Sequence, residues 1–160
     1  MGLVNQNGDV IMLGLCEGNY CSEKRKHETG NGRIIVMKKK ISGENIGECI
    51  WETMKIIAIP KFVKFRDYSA LSFTPDGSIA ITSQEDSKVW IGKLLGIDAN
   101  GRIDIDRIAF GTDTGITITF PKSDSCLTSY CNIEGIYFLS NKMLLAVSDK
   151  MKKGGKQDFR

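Results

Sequence analysis

The sequence has 160 residues, a length that suits one domain with a sizeable hydrophobic core. Its 41% hydrophobic and 26% charged residues are typical of a soluble globular protein, and its net charge of +3 is too small to indicate nucleic-acid binding. No apolar run is long enough to cross a membrane. The single histidine, His27, excludes any site that needs two imidazoles.

The first third of the chain predicts short strands separated by polar segments that contain glycine. Apolar runs indicate strands at residues 10–15, 33–40 and 48–59, and residues 16–32 indicate a long loop. The apolar spacing in residues 48–59 also fits a helix, but the β-branched content of this segment favours a strand.

The middle of the chain predicts a meander of four strands, at residues 69–73, 78–83, 88–95 and 103–110. Such a unit of about forty residues matches one blade of a β-propeller. A short strand is predicted at residues 116–120, and a further hairpin at residues 135–139 and 143–148.

Two of these hairpins are similar in sequence. The segments that begin at Asp67 and Asn132 align without a gap at an offset of 65 positions, so that Phe73 matches Phe138. A weaker third copy surrounds the Asn7-Gly8 pair near the start of the chain, at an offset of 69. Each copy is an apolar run, a turn and a second apolar run, the pattern of a β-hairpin. Recurrence at a long, fixed spacing predicts a repeat architecture.

The predicted fold is therefore all-β, a partial β-propeller built of four-stranded antiparallel meander blades. The single domain, 1–160, would hold a blade remnant at 1–60, a complete blade at 67–110 and the start of the next blade at 132–160. Since propellers have about four to eight blades, we expect this chain to be a piece of a larger ring. Missing blades or self-association would then cover the sheet edges. The alternative is a small β-sandwich whose similar hairpins are coincidental.

The second and third copies resemble blades of the six-bladed β-propeller superfamily. The likeness rests on Glu134-Gly135-Ile136, the following LSNKMLLAVSD, and ALSFTPDGSIAITSQED in the companion copy. This superfamily includes senescence-marker and gluconolactonase-like proteins, esterase-like phytase domains, and strictosidine-synthase and NHL-type propellers. The resemblance covers about 85 residues, or about 100 with the first copy, and does not single out one family.

The resemblance implies a metal ligand. In gluconolactonase-like propellers the glutamate of the corresponding motif helps to hold a divalent cation in the central channel, and its match here is Glu134. Asp149, at the end of the next strand, is a second candidate, since Ca²⁺ takes several oxygen ligands. The matching position in the companion copy is Ser69, so the motif is not repeated there. The alternative is that both acids are polar residues closing strands at a solvated channel.

Five cysteines leave the redox state open. Cys16 and Cys21, and likewise Cys126 and Cys131, are five positions apart, and Cys49 is left over. The two pairs could be local disulfides, a four-cysteine zinc site or reduced thiols. The spacing is wide for zinc, and the odd cysteine argues mildly against full oxidation.

Two loops are basic. Lys24, Arg25 and Lys26 follow the first hairpin, and Lys150, Lys152 and Lys153 follow the last. Equivalent propeller loops share one face, so these loops predict a basic face for a small anionic ligand or an acidic protein surface. No aromatic residues interleave with the lysines, which argues against nucleic-acid binding. The alternative is a pair of solvated loops.

The leading functional expectation is a propeller surface that binds a ligand or protein. The alternative is a metal-dependent hydrolase of the esterase, lactonase or phytase kind, in which a cation polarises a carbonyl or phosphoryl oxygen and activates water. Residues 111–115 (GTDTG) resemble one aspartic-protease motif, but a single copy predicts a turn. The first ten residues show no signal-peptide pattern, so the cytoplasm is the default expectation, with secretion the alternative if a leader precedes the sequence.

Overall fold

In a computed structural model of the chain, residues 1–16, 29–41, 49–121 and 132–149 are described. Within these ranges the protein is all-β. Eleven strands form antiparallel sheets of four, five and two strands, without a helix and without closure of any sheet on itself. The described residues accordingly hold no helix with the length and hydropathy needed to span a membrane. The predicted all-β class is confirmed.

The first sheet is a four-stranded meander. Its strands are β1 Gly2–Gln6, β2 Asp9–Cys16, β3 Arg33–Ile41 and β4 Cys49–Ala58, and each pairs with the next. Asn7 and Gly8 join β1 to β2 with positive φ angles of 53° and 85°, a conformation that Asn-Gly pairs favour in tight hairpins. The segment that also fitted a helix is β4, as predicted. The structure thus has four strands between residues 1 and 58, where the apolar runs predict three.

The second sheet contains β5 Ala70–Phe73, β6 Ser78–Ser83 and β7 Lys88–Leu95 as a meander. Two short strands, β8 Ala109–Phe110 and β9 Ile116–Thr119, both pair with β7, at different places along it. Gly77 closes the turn between β5 and β6 at a φ of 84°.

The predicted strand at residues 103–110 is wrong except for its last two residues. Local hydrogen bonds occupy the backbone that a strand would need. The backbone N–H and carbonyl of Ile103 both bond to the Gln6 side chain. Asp104 Oδ1 accepts from the N–H groups of Asp106 and Arg107. Such side-chain contacts compete with a sheet ladder, and β9 takes most of the edge of β7 instead.

The third sheet is the hairpin of β10 Asn132–Ser140 and β11 Met143–Asp149. Its register matches that of β5 and β6 at the offset of 65. Ala70 pairs with Thr82 and Gly135 with Val147, and the next three pairs of each hairpin also correspond. The aligned segments therefore have the same pairing in space.

The three sheets stack in chain order. A main core fills the space between the first and second sheets, with Ile11, Leu13 and Ile34 on one side and Ile79 and Ile81 on the other. A smaller core joins the second sheet to the last hairpin through Ala70, Ala80, Val89 and Ile136. Alternate residues of β6 thus face opposite cores, and the second sheet is covered on both sides.

Candidate functional site

The first strands of the three sheets surround a cleft of about 460 Å³. Residues 1–4 form one wall, and Ser72 and Phe73 at the end of β5 form another. Tyr137 of β10 contributes a third side, and Asn100 with its neighbour Gly101 closes the rim. We call this space the central cleft.

Close packing holds the walls of the central cleft in place. Ser72 is buried, and its Oγ accepts a hydrogen bond from the backbone N–H of Phe138 at 3.1 Å, which ties β5 to β10. Gly2 lies against the Phe73 ring: a Cβ at Gly2 would be 2.2 Å from Phe73 Cε1. Glycine is therefore the residue that lets β1 approach the ring without displacing it.

The lining defines the chemistry that the central cleft offers. Its side chains are apolar apart from the Ser72 hydroxyl, the Asn100 amide and the Tyr137 phenol. The charged group of the described lining is the Met1 ammonium, which donates to the Leu71 carbonyl at 3.4 Å. Apolar walls with a few hydrogen-bonding groups are typical of small-molecule sites. A pair of titratable groups for acid–base catalysis is not present among these side chains. The cleft therefore suits a small, neutral, weakly polar ligand.

Glu134 lies elsewhere on the same hairpin. It is exposed, at a break in the β10–β11 register between Ile133 and Gly135. Its predicted partner Asp149 pairs by backbone with Asn132, but the side chain of Asp149 lies outside the described part of the structure. Ser69, 65 positions before Glu134, donates from Oγ to the Ile133 carbonyl at 3.1 Å.

The described residues do not by themselves fit a calcium site. They contain no cluster of three or more His, Cys, Asp or Glu side chains placed to hold a metal ion. Ca²⁺ takes about six to eight oxygen ligands, and of the two predicted ligands only Glu134 has a described side chain. The metal site stays a prediction.

The predicted basic face cannot be placed. Lys24, Arg25, Lys26, Lys150, Lys152 and Lys153 all lie outside the described residues. The same holds for Cys21, Cys126 and Cys131. Cys16, at the end of β2, is disulfide-bonded. Both the basic face and the particular cysteine pairing therefore stay predictions.

A polar network at the start of the second sheet was not predicted. The Asp86 carboxylate accepts hydrogen bonds from the backbone N–H and from Nε of Arg66, both at 2.8 Å. Burial alone would raise the pKa of Asp86, but these bonds and the guanidinium charge outweigh it and lower that pKa below its usual 3.8. Asp67 accepts from the Glu85 N–H and from Ser83 Oγ. These bonds tie Arg66 and Asp67 to the turn between β6 and β7, which is a structural role.

The central cleft itself was also missed by sequence reasoning. One signal was present: Ser72 and Tyr137 are 65 positions apart, so they occupy equivalent positions in the two similar hairpins. Equivalent positions on stacked sheets face the same way. The contributions of residues 1–4 and Asn100 come from packing between distant segments, which no local pattern encodes.

Comparisons with protein-family models, with curated proteins and with solved structures find no match to this chain.

Proposed function

We propose that the chain is part of a β-propeller-like ring and binds a small, neutral ligand in the central cleft. The observation that carries the proposal is the meeting of the first strands of three stacked sheets around one weakly polar cleft. In propellers the sheets are arranged around a central channel, which is a common place for ligands. The shared register of the two similar hairpins and their resemblance to propeller blades support the same arrangement.

Three stacked sheets favour this arrangement over a β-sandwich, which has two. The second sheet is buried on both faces, and β6 is covered along most of its length. A sheet in that position behaves as an internal blade with a neighbour on each side.

Binding is favoured over catalysis because of the cleft lining. Ser72 already accepts the Phe138 N–H, and no neighbouring base among the lining side chains could activate its hydroxyl. The basic loops would add an anionic ligand or acidic protein as a second partner. The hydrolase alternative follows from the resemblance alone, through Glu134 and Asp149.

Indole is a suitable probe, since it is small, neutral and aromatic with one hydrogen-bond donor. We expect a titration followed by ¹⁵N-resolved NMR to shift the amide signals of Ser72, Phe73, Asn100 and Gly101 together, with one saturation curve. Tyr137→Ala removes an exposed ring from the cleft and should weaken binding about tenfold, equivalent to about 1.4 kcal/mol.

Lys142→Ala is the matched control, because Lys142 is exposed on the same hairpin and does not line the cleft. It should leave the titration unchanged. Shifts scattered over the surface, or an equal effect of both variants, would contradict binding in the central cleft.

A further inference from the structure

Among the described residues, nothing packs on two apolar sheet faces, one at each end of the stack. One is the outer face of the first sheet, here called the leading face, formed by Leu3, Met12, Ile35, Met37 and Ile56. The other is the outer face of the β10–β11 hairpin, the trailing face, formed by Tyr137, Leu139, Met143, Leu145 and Val147. On the leading face, Leu3 is 58% exposed and Ile56 is 60% exposed. On the trailing face, Tyr137 is 62% exposed and Val147 is 58% exposed. Contiguous exposed apolar faces of this kind mark interaction surfaces.

The sheets stack head-to-tail, each in the same orientation. In the second sheet Leu71 and Ile81 face the first sheet, whereas Ala70 and Ala80 face the hairpin. At the offset of 65, the position equivalent to Leu71 is Ile136, which faces the second sheet. The position equivalent to Ala80 is Leu145, which is exposed. The trailing face is therefore equivalent to the face of the second sheet that the hairpin covers.

The leading face is equivalent to the opposite face of the second sheet, the one that packs on the first sheet. The offset of 69 that aligns the first copy with the second matches Met12 to Ile81, and Met12 pairs with Leu3 as Ile81 pairs with Leu71. Leu71 and Ile81 pack against the sheet that precedes theirs. Leu3 and Met12 accordingly present the side that packs on a preceding sheet. Within one chain this kind of contact is already made twice.

We propose that the occupant of each uncovered face is a second copy of this chain, with the leading face of one copy on the trailing face of the other. This inference rests on the propeller-like arrangement proposed above. Two copies related by a two-fold axis make this contact twice, once at each end of the stack. Three sheets from each copy give a ring of six, within the range of about four to eight at which propellers close.

A head-to-tail contact predicts a specific mass distribution. We expect sedimentation equilibrium of the full chain, over about 1 to 100 μM, to give twice the monomer mass of 17.7 kDa without larger species. A monomer at every concentration overturns the proposal. An open series of higher oligomers overturns ring closure, because a head-to-tail contact that does not close forms filaments.

Charge-introducing variants on each face test the orientation. Leu145→Glu blocks the trailing face and Ile56→Glu the leading face, and Lys142→Glu, on the exposed hairpin turn, is the control. Each blocked variant alone should be monomeric, because both contacts of its dimer would include a blocked face. An equimolar mixture should recover a dimer with one intact contact, at least tenfold weaker than the original.

Alternative pairings give different outcomes. If leading faces paired with each other, Leu145→Glu would stay dimeric, and if trailing faces did, Ile56→Glu would. Either result overturns the proposal. Circular dichroism and the fluorescence of buried Trp90 show whether each variant is folded, and a variant that unfolds is replaced by Val147→Lys or Leu3→Lys on the same face.

The result is separable from the proposed ligand function. Indole binding at the central cleft by a monomeric protein would overturn the second copy and leave the binding site intact. A head-to-tail dimer that does not bind indole would support the second copy and contradict the ligand.

Discussion

Gln6 and Ile103 exchange two hydrogen bonds although 97 positions separate them. Gln6 Nε2 donates to the Ile103 carbonyl at 2.9 Å, and the Ile103 N–H donates to Gln6 Oε1 at 2.7 Å. The side-chain amide thus imitates one rung of a β-ladder and fixes the loop between β7 and β8 against the first sheet. Ile103 is buried, so its backbone groups have little access to water.

Removing this amide should destabilise the protein. We expect Gln6→Ala to lower the free energy of unfolding by about 1–3 kcal/mol, the usual result of leaving buried polar groups without a partner. Asn5→Ala, at an exposed position of the same strand, is the control and should change it by less than about 0.5 kcal/mol. Urea denaturation measures both, and equal effects would contradict the role of the Gln6 amide.

Gln6→Glu adds a pH test. An ionised glutamate can accept from the Ile103 N–H but repels the Ile103 carbonyl, whereas a protonated one can donate to it. The contact with the carbonyl should raise the pKa of this glutamate in the folded state. The variant should therefore lose stability relative to the native protein as the pH rises above about 4.3, the ordinary pKa of glutamate. A pH-independent difference between the two proteins would count against a direct contact with the carbonyl.

The contact between Gln6 and Ile103 shows why the sequence predicts some strands correctly and not others. Strands β6 and β7 were predicted with the bounds that the structure has, because alternating apolar residues and adjacent turns are local signals. Residues 103–108 also look like a strand locally. Their backbone is used instead by Gln6 and by the Asp104 carboxylate, and the first of these partners lies in a distant segment.

The sequence likewise predicts only part of the candidate site. The repeat at an offset of 65 places Ser72 and Tyr137 at equivalent positions, and this relationship can be read from the sequence alone. The cleft between them also needs β1 beside Phe73 and the Asn100 loop over the rim, and these depend on how the sheets stack. The metal and basic-face predictions rest on residues whose side chains are mostly outside the described ranges, so the structure neither confirms nor contradicts them.

Gly8 and Gly77 have the same backbone conformation but different surroundings. Alanine substitutions at the two positions therefore distinguish the cost of backbone strain from the cost of a steric clash. Gly8 and Gly77 have φ angles of 85° and 84°. A Cβ at Gly8 would meet nothing within 4 Å, whereas one at Gly77 would lie 2.6 Å from the Leu94 carbonyl oxygen. We expect Gly8→Ala to cost about 1–2 kcal/mol from the left-handed conformation alone. Gly77→Ala should cost more, because the backbone of β7 must also move.

Thermal or urea unfolding of the two variants gives the comparison. If Gly77→Ala were no more destabilising than Gly8→Ala, the close approach of the β5–β6 turn to Leu94 would be contradicted. The hydrogen bond from the Leu94 N–H to the Gly77 carbonyl, at 2.7 Å, provides a second readout. The Leu94 amide hydrogen should exchange with solvent faster in Gly77→Ala and at the native rate in Gly8→Ala.

The contact between Arg66 and Asp86 predicts an acid-sensitive contribution to stability. The pKa of Asp86 is lowered in the folded protein, so its contribution is complete above its unfolded pKa of about 3.9 and is lost as the pH falls through the lower folded value. Asp86→Asn should reduce the free energy of unfolding at neutral pH by about 1–3 kcal/mol. The deficit should shrink in acid.

Asp113→Asn is the control, since Asp113 is exposed on the loop before β9. Urea denaturation between neutral pH and about pH 3 should leave this variant parallel to the native protein. A deficit of Asp86→Asn that stayed constant over the range would show that the Asp86 charge does not contribute.

Trp90 should be the most sensitive position of the second sheet. It is 2% exposed, its Nε1–H donates to the Thr114 carbonyl at 2.8 Å, and its ring packs against Phe110. Glycines make room for the indole: a Cβ at Gly92 would lie 2.2 Å from Cη2. We expect Trp90→Ala to cost about 3–5 kcal/mol and Trp90→Phe less, since a ring remains. Trp51→Phe, at a 37% exposed position, should cost little and leaves Trp90 as the only tryptophan. With selective excitation of tryptophan, its fluorescence should be shielded from acrylamide until the protein unfolds. Quenching of Trp90 in the folded state would contradict the packing of the second sheet.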